Sequence, residues 1–583
     1  MRLVVLAESW SGERRVALVP EVVERLVGSG FDVVVEAGAG RRAAIGDPAF
    51  RAAGATVVRG PGAALVGADL HVRVNPPTLA EARLVPEATS VVSLSAPAED
   101  SEVRAVLAGK GVSYFSLDRI PRVARAQPMD ALSSQATAAG YRAALVAAER
   151  SGRFIPTLVT AAGTVAPARV LVLGTGVAGL QAIAILRRLG ATVTAYDVRA
   201  AARDEARSLG AAFLPIDVLA EGAGGYARDL SPSETARLHL ALGAEVAASD
   251  VVITTAAVPG RRAPILVTTA MIEQMGPGAV VVDAAADSGG NCEPTRAGAD
   301  VVVGRATVVG LANPAAGLPA HASFLYAHNV LGLVQLLVVD GKPVAKLDDE
   351  VVAATRVLDH GEPPPAVAAR DRQPGAPPPP RSPAAGPTVG PARRGLRNAG
   401  SGGGPPPGPH PRSVPEVAAL LAGSRRVALV PGYGLALAQA QHALRQLAEL
   451  LQRRGVDVFY VVHPVAGRVP GHMSLVLDDA RVPHGELYEL AAGNARLRQT
   501  DVALVVGAND TVNPAAATAA TGPLSGMPVV NVRAARRVVV LSRSGGPGFA
   551  GVENGLLGDD QTVLLLGDAG DVLRRLAQAV VRA

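Results

Sequence analysis

Arg169 to Asp197 reads RVLVLGTGVAGLQAIAILRRLGATVTAYD, and few folds accept such a run. Arg169 to Leu173 is a short apolar segment of the kind buried on both faces of a parallel sheet. Gly174, Gly176 and Gly179 follow at G-x-G-x-x-G spacing. Leu180 to Leu189 carries a helical apolar pattern that Gly190 stops. Thr192 to Tyr196 is a second strand with Asp197 at its carboxyl end. The first glycine permits a tight turn, the second lets backbone approach a pyrophosphate, and the third lets helix pack closely on strand. The helix N-terminus then offers N–H groups and a positive dipole end to phosphates. A carboxylate at Asp197 is placed to accept from a ribose 2′-hydroxyl and to repel a 2′-phosphate, which favours NAD(H).

The chain has 583 residues, room for about three or four domains. Aromatic residues make up only 3%, so Ala, Val and Leu must fill the cores. The single cysteine, Cys292, excludes a disulfide framework within the chain and fits a reducing compartment. The net charge is +5, but no basic run is interleaved with aromatics, which argues against nucleic acid as a partner. The first residues, MRLVVLAESW, lack the apolar stretch of a signal peptide. A membrane span needs about 20 consecutive apolar residues. The best candidate, Val330 to Val339, ends at Asp340 and reads as a core helix.

The expected fold class is α/β, with three Rossmann-like doubly wound parallel-sheet units, two in the N-terminal half and one at the C-terminus. The first unit covers 1–135, and 326–360 returns to it. Its elements are strands at Leu3–Leu6, Phe31–Val35, Ala68–Val74 and Ser90–Leu94 and a helix at Pro20–Gly28. The second covers 136–325 and adds strands at Val251–Thr255 and Ala279–Asp283. Strand carboxyl ends line the ligand crevice of such sheets, so Thr254, Thr255 and Ala256 are expected contacts to the adenosine side. Residues 361–412 are rich in Pro, Gly, Ala and Ser, lack apolar periodicity, and read as a disordered linker.

The third unit covers 413–583, with a helix at Val414–Ala422 and strands at Arg426–Val430, Val456–Val462, Asp501–Val506, Pro528–Asn531 and Arg537–Leu541. Gly432 and Gly434 open a second glycine turn, and Leu437 stands where a third glycine would be. No acid follows the next strand. Arg468 and the run Ser542-Arg543-Ser544 offer cations and hydroxyls instead, which suits a 2′-phosphate. One charge-assisted hydrogen bond is worth about 1.5–3 kcal/mol, so Arg543 alone biases this site toward NADP(H) by roughly ten- to a hundredfold.

The motifs RRVALVP at Arg14, PRVARAQPMDALSSQATAAGYRA at Pro121, YDVR at Tyr196, GGYA at Gly224, GGNC at Gly289 and LPAHASFLYAHN at Leu318 give the first 360 residues a specific likeness. They resemble the NAD(H)-binding component of the proton-translocating nicotinamide nucleotide transhydrogenases. PGYGLALAQAQ, HPVAGRVPGHM, GANDTVNPAA and GFAGVEN make residues 413–583 similar to the NADP(H)-binding component. The resemblance implies direct hydride transfer between NAD(H) and NADP(H). It places Arg122, Gln127, Asp130 and Ser133 at the NAD(H) nicotinamide, Val198 and Arg199 beside Asp197, and Tyr226 on a lid over the bound nucleotide. In the second half it assigns Tyr433, His463, Gly507, Asn509 and Asp510 to NADP(H), with Gly548, Phe549 and Ala550 on a covering loop. His463 through Arg468 would touch the pyrophosphate.

The family's many-helix membrane domain is replaced here by the proline-rich segment, so proton coupling requires separate membrane subunits. The resemblance further implies a homodimer through the N-terminal half and a cytoplasmic location, free or peripheral at the cytoplasmic face of the membrane. Two other readings are an alanine dehydrogenase-like oxidoreductase and a non-catalytic NAD(H)/NADP(H) sensor. The first shares the fold of the N-terminal half, but Arg73 stands where that family has a lysine, and SVVSLSAPA lacks its histidine.

Overall fold

The computed structural model describes residues 1–121, 123–220, 227–257, 260–339, 342–343, 349–363, 413–467, 471–518 and 522–582. The proline-rich segment, Arg122, Tyr226 and Arg468 lie outside these residues. Three large sheets carry the fold. In the first, seven strands run in the order Arg356–Leu358, Ser113–Ser116, Ser90–Ser93, Leu70–Val72, Arg2–Val5, Asp32–Glu36 and Thr56–Val58. All pair in parallel except Arg356–Leu358, which returns antiparallel along Ser113–Ser116.

The second sheet has the order Ala212–Phe213, Thr192–Tyr196, Arg169–Leu173, Val251–Thr254, Val280–Asp283, Ala306–Gly310 and Asp300–Val303, with only the last strand antiparallel. The chain winds outward in both directions from Arg169–Leu173. The switch point therefore falls between Leu173 and Thr254, where ligands bind in open α/β sheets. The third sheet is wholly parallel, in the order Leu487–Glu489, Asp457–Val462, Arg426–Pro431, Val502–Val506, Arg537–Ser542 and Thr562–Leu566. Its switch point lies between Pro431 and Val506.

Pro528–Asn531 is not a strand. Its polar backbone is spent on loops: Val530 N–H donates to Thr511 O, and Pro528 O accepts from His463. A proline at the head of a short apolar run leaves one donor fewer for a sheet ladder.

Two long helices join the first two sheets. Ala131–Arg150 packs along Val177–Arg188, and Pro319–Leu337 comes back across the first core through Tyr326, Val330 and Val334. The return helix thus begins at Pro319, inside the stretch assigned from sequence to the second unit. Val414–Ala422, Gln441–Arg453 and Ala569–Arg582 cover one face of the third sheet through Leu421, Leu447 and Leu576. Among the described residues no helix is long and apolar enough to cross a membrane, and no cluster of His, Cys, Asp and Glu is arranged to hold a metal ion.

Candidate functional site

The crevice of the second sheet is built on steric necessity. Gly174 has φ +90°, and its N–H donates to Tyr196 O. A side-chain carbon on Gly179 would lie 1.9 Å from Gly174 O, whereas one on Gly176 would meet nothing within 4 Å. Helix and turn are therefore pressed together on one side while the space before the helix is open. Val177–Arg188 starts at Gly176 without a side-chain cap, so its first N–H groups face that space. This is the form a pyrophosphate cradle takes.

Asp197 is held fast. Its carboxylate accepts from Thr175 N–H at 2.8 Å, Thr175 Oγ1 at 3.3 Å, and the backbone and guanidinium N–H groups of Arg199 at 2.9 Å. Burial pushes the carboxyl up, but the bonds and charge of Arg199 together with the Thr175 N–H hold it below its ordinary value. The negative charge expected to repel a 2′-phosphate is thus offset by a guanidinium beside it. Val198 is half-buried against the core of the far face.

Across the crevice, Thr255 Oγ1 donates to Gly174 O at 2.8 Å. Ala256 N–H donates to Asn291 Oδ1 at 3.0 Å, and Asn291 Nδ2 donates to Ala256 O and Pro264 O. The fully buried Asp283 accepts from the N–H groups of Ala285, Asn291 and Cys292 and from Thr295 Oγ1. Thr254 corrects the sequence reading. It is the last residue of its strand, is fully buried, and sits over Cys292 beneath the crevice rather than in it. Asn291 and Asp283 were missed, although GGNC already contained the first of them.

The segment expected at the nicotinamide, Ala124–Met129, is a 3-10 turn fixed at both ends. Arg125 donates two hydrogen bonds to Asp349, at 2.6 and 3.1 Å. Asn329 Nδ2 donates to Pro128 O at 2.7 Å, while Asn329 Oδ1 accepts from Ser134. Gln127 between these anchors is exposed. Asp130 and Ser133 come together as a helix cap: Asp130 accepts from Ser133 N–H at 2.9 Å and from its hydroxyl at 2.6 Å. The expected partner of Asp130, Arg122, lies outside the described residues, as do Tyr226 and Arg468. Arg125, Asp349 and Asn329 were not singled out from sequence, because their partners lie up to 224 residues away.

In the third sheet, a carbon on Gly432 would lie 2.4 Å from Ala508 Cα, and one on Gly434 2.8 Å from Gly507 Cα. The two turns at the switch point thus interlock through Gly432 and Gly434 against Gly507 and Ala508, with Tyr433 between the two glycines. Asn509 Nδ2 donates to Gly546 O, and Asn554 Nδ2 donates to Asn509 O and Oδ1. Asp510 Oδ2 accepts from Ala550 N–H at 2.9 Å, while its buried Oδ1 has no hydrogen-bond partner among the described residues and faces Gly548. These bonds fold the 544–554 loop back over the sheet edge, with Phe549 86% exposed at its tip. A cavity of about 750 Å³, lined by Val512, Pro514, Thr518, Gly526 and Asn531 among others, continues from this edge.

Ser542 Oγ donates to Ser544 O, and Arg543 is exposed and makes no ion pair among the described residues. His463 is a second correction. Its Nε2 donates to Pro528 O at 2.6 Å and its Nδ1 accepts from Val465 N–H at 3.2 Å. Burial lowers its pKa, so the ring is a neutral structural tie with no nitrogen left for a phosphate.

Arg73 is spoken for as well. Its buried guanidinium pairs with Glu81 at 3.1 Å and lies 3.8 Å from Glu8, and its carbonyl accepts from Tyr326. Its Nη1 has no hydrogen-bond partner among the described residues but is buried, so an amino-acid carboxylate reaches it only by opening this enclosure.

The two halves touch. A carbon on Gly526 would lie 3.5 Å from Arg125 Cβ, which brings the Gln127 turn against the third unit.

Three family models match the chain in succession. They are "Alanine dehydrogenase/PNT, N-terminal domain" over 4–139, "Alanine dehydrogenase/PNT, C-terminal domain" over 143–363 and "NAD(P) transhydrogenase beta subunit" over 408–579. The chain is 42% identical over 372 residues to the protein of Rhodospirillum rubrum that forms the first portion of its NAD(P) transhydrogenase subunit alpha, covering 62% of this chain and 97% of that protein. It is 46% identical over 168 residues to subunit beta of the same organism, covering 29% of this chain but only 36% of that protein. The crystal structure of transhydrogenase from Sinorhizobium meliloti is similar at a TM-score of 0.57 and 40% identity, over 62% of this chain and 100% of that one.

Proposed function

The chain belongs to the NAD(P) transhydrogenase family, and on that premise we propose that it passes a hydride directly between an NAD(H) held at the Gly174 crevice and an NADP(H) held at the Gly432–Gly507 crevice. When bound, the two nicotinamides supply the donor and acceptor carbons. The chain must then hold both nucleotides, orient their carboxamides and exclude water, since near-attack geometry is the main demand of such a transfer. The observation that carries the reading is the contact of the Gln127 turn with Gly526, which puts the proposed nicotinamide segment of one half against the other half.

We assign the pyrophosphate of NAD(H) to the N–H groups following Gly176, and its adenosine ribose to Asp197. A ribose hydroxyl reaches that carboxylate by replacing its longest bond, from Thr175 Oγ1 at 3.3 Å. Gln127 orients the carboxamide, with Asp130, Ser133 and Arg122 behind it and Tyr226 closing over it. For NADP(H), Arg543 and Ser542 take the 2′-phosphate, Arg468 takes the pyrophosphate, and Asp510 faces the nicotinamide end under the Gly548–Ala550 cover. The functional division we propose is 1–135 with 326–360, 136–325, and 413–583. Pairing of two chains through the N-terminal half, and proton coupling through membrane subunits on separate chains at the cytoplasmic face, belong to the same proposal.

The purified full chain is expected to reduce an NADP⁺ analogue with NADH in the absence of membranes. Gln127→Asn should slow that transfer with nearly unchanged NADH affinity. If wild type binds both nucleotides and transfers nothing, the sensor reading replaces this one.

A further inference from the structure

A second set of contacts joins the halves behind the glycine turn of the third unit, where His472 packs on Tyr433. The helix Ala202–Ser208 ends against the third unit. Gln439 Nε2 donates to Ser208 O at 2.8 Å, a carbonyl at the helix end, and at 3.3 Å to Arg207 O, which also accepts from Gly210 N–H. The Ser208 hydroxyl hydrogen is committed to Glu205 O at 2.6 Å, so its oxygen accepts from His472 Nε2 at 3.3 Å. Ser208 and His472 are both almost fully buried, 2% and 1% exposed, so this stretch of the seam is dry. One helix over, Arg188 at the end of Val177–Arg188 pairs with Asp478 at 3.1 Å.

Gln439 has φ +50°, a left-handed conformation in a residue that is not glycine. Such strain persists where the surroundings over-determine it. A glycine would relieve it, but would remove the amide that caps the facing helix.

We propose that Gln439, His472 and Asp478 form a docking seam for the ends of this chain's own helices at Arg188 and Ser208, fixing the register in which the C-terminal nucleotide site meets the Gln127 turn. The seam deepens the transhydrogenase reading and rests on it. Its residues are positioning residues: they act on the C-terminal crevice from behind, His472 through its ring contact with Tyr433. Residues 364–412 join the halves covalently, so docking is a unimolecular event within one chain.

The test uses the full chain. Gln439→Gly removes the donors while relieving the strained backbone, so a loss of function cannot be put down to misfolding. Single-turnover hydride transfer should fall by roughly two- to tenfold, the range of one or two hydrogen bonds, with unchanged equilibrium affinities for NADH and NADPH and an unchanged or higher melting temperature. Arg188→Asp and Asp478→Arg should each slow transfer by about two- to fivefold, and the double swap should restore it. Transfer per chain should not change on dilution. Wild-type rates in Gln439→Gly and both single swaps, or a specific activity that falls on dilution, would overturn the seam and leave the transhydrogenase reading standing. A wild-type chain that binds both nucleotides and transfers nothing would overturn both.

Discussion

Asp197 shows what a single residue's surroundings change. From sequence it is a bare carboxylate placed to refuse a 2′-phosphate. In the fold it is shared between Thr175 and Arg199, so the discriminating element is the pair rather than the acid. Removing the charge of Asp197 should release the Arg199 guanidinium toward a phosphate. Asp197→Asn is therefore expected to let NADPH compete with NADH at the first crevice by roughly ten- to a hundredfold more than in wild type, one charge-assisted bond's worth. Competition measured against bound NADH checks this. An unchanged preference would mean that the carboxylate serves only to fix the Gly174 turn.

Glu13 makes a pH prediction. It is buried and paired with Arg15 at 2.7 Å. Burial pushes its carboxyl up, and the hydrogen bonds and charge of Arg15, with Asn75, overcome that and bring it down to about 2 from 4.5. A depressed folded pKa stabilises above the unfolded value and is lost as pH falls toward the folded one. Wild type should therefore exceed Glu13→Gln by about 3 kcal/mol at neutral pH, and the gap should close between pH 4.5 and 2. Burial pushes the Glu8 carboxyl the other way, and the Glu13 charge supplies only the smallest part of that shift, so Glu8 enters the difference weakly. Denaturant melts across pH measure it, and a gap that persists at pH 2 would refute the assignment.

At the level of elements, Ala131–Arg150 carries the Gln127 turn on its N-terminus, and Asp130 is its cap. Capping and charge can be separated. Asp130→Ala should cost about 1 kcal/mol of stability, and Asp130→Asn, which keeps an acceptor, only a few tenths. If the carboxylate also serves the nicotinamide end, Asp130→Asn should slow hydride transfer at near wild-type stability. Equal transfer in Asp130→Asn and wild type would confine Asp130 to capping.

Elements were legible where the apolar pattern and its stops are local in sequence. Arg169–Leu173, Thr192–Tyr196, Pro20–Gly28 and Val414–Ala422 fall where the apolar runs and their stops put them. Pro528–Asn531 has the same apolar character, but its backbone partners are Thr511 and His463, which no periodicity reveals. The glycine crevices were legible for a similar reason, since close approach requires glycine itself. The supports of the Gln127 turn were not. Asn329 and Asp349 lie on elements some 200 residues away; the LPAHASFLYAHN motif ends on Asn329, but only the fold shows that it ties Pro128.

For the whole molecule, the arrangement of cores predicts how it unfolds. The apolar clusters of the third unit draw only on residues from 414 onward, and the large clusters of the first two sheets only on residues up to 352. Between them lie the polar contacts of the seam and the Gly526–Arg125 approach. Cores that share no buried apolar cluster need not melt together. The full chain should therefore show two thermal transitions. A ligand that binds only the folded form stabilises by about 2.7 kcal/mol at a hundred times its Kd, and that gain goes to the unit that binds it. NADH should raise the transition of residues 1–363, NADPH that of residues 413–582, and each should move the other only slightly, through the seam. Calorimetry with either nucleotide alone decides it. If one nucleotide lifts both transitions equally, the halves form a single cooperative block, and a polar seam is too weak an account of what joins them.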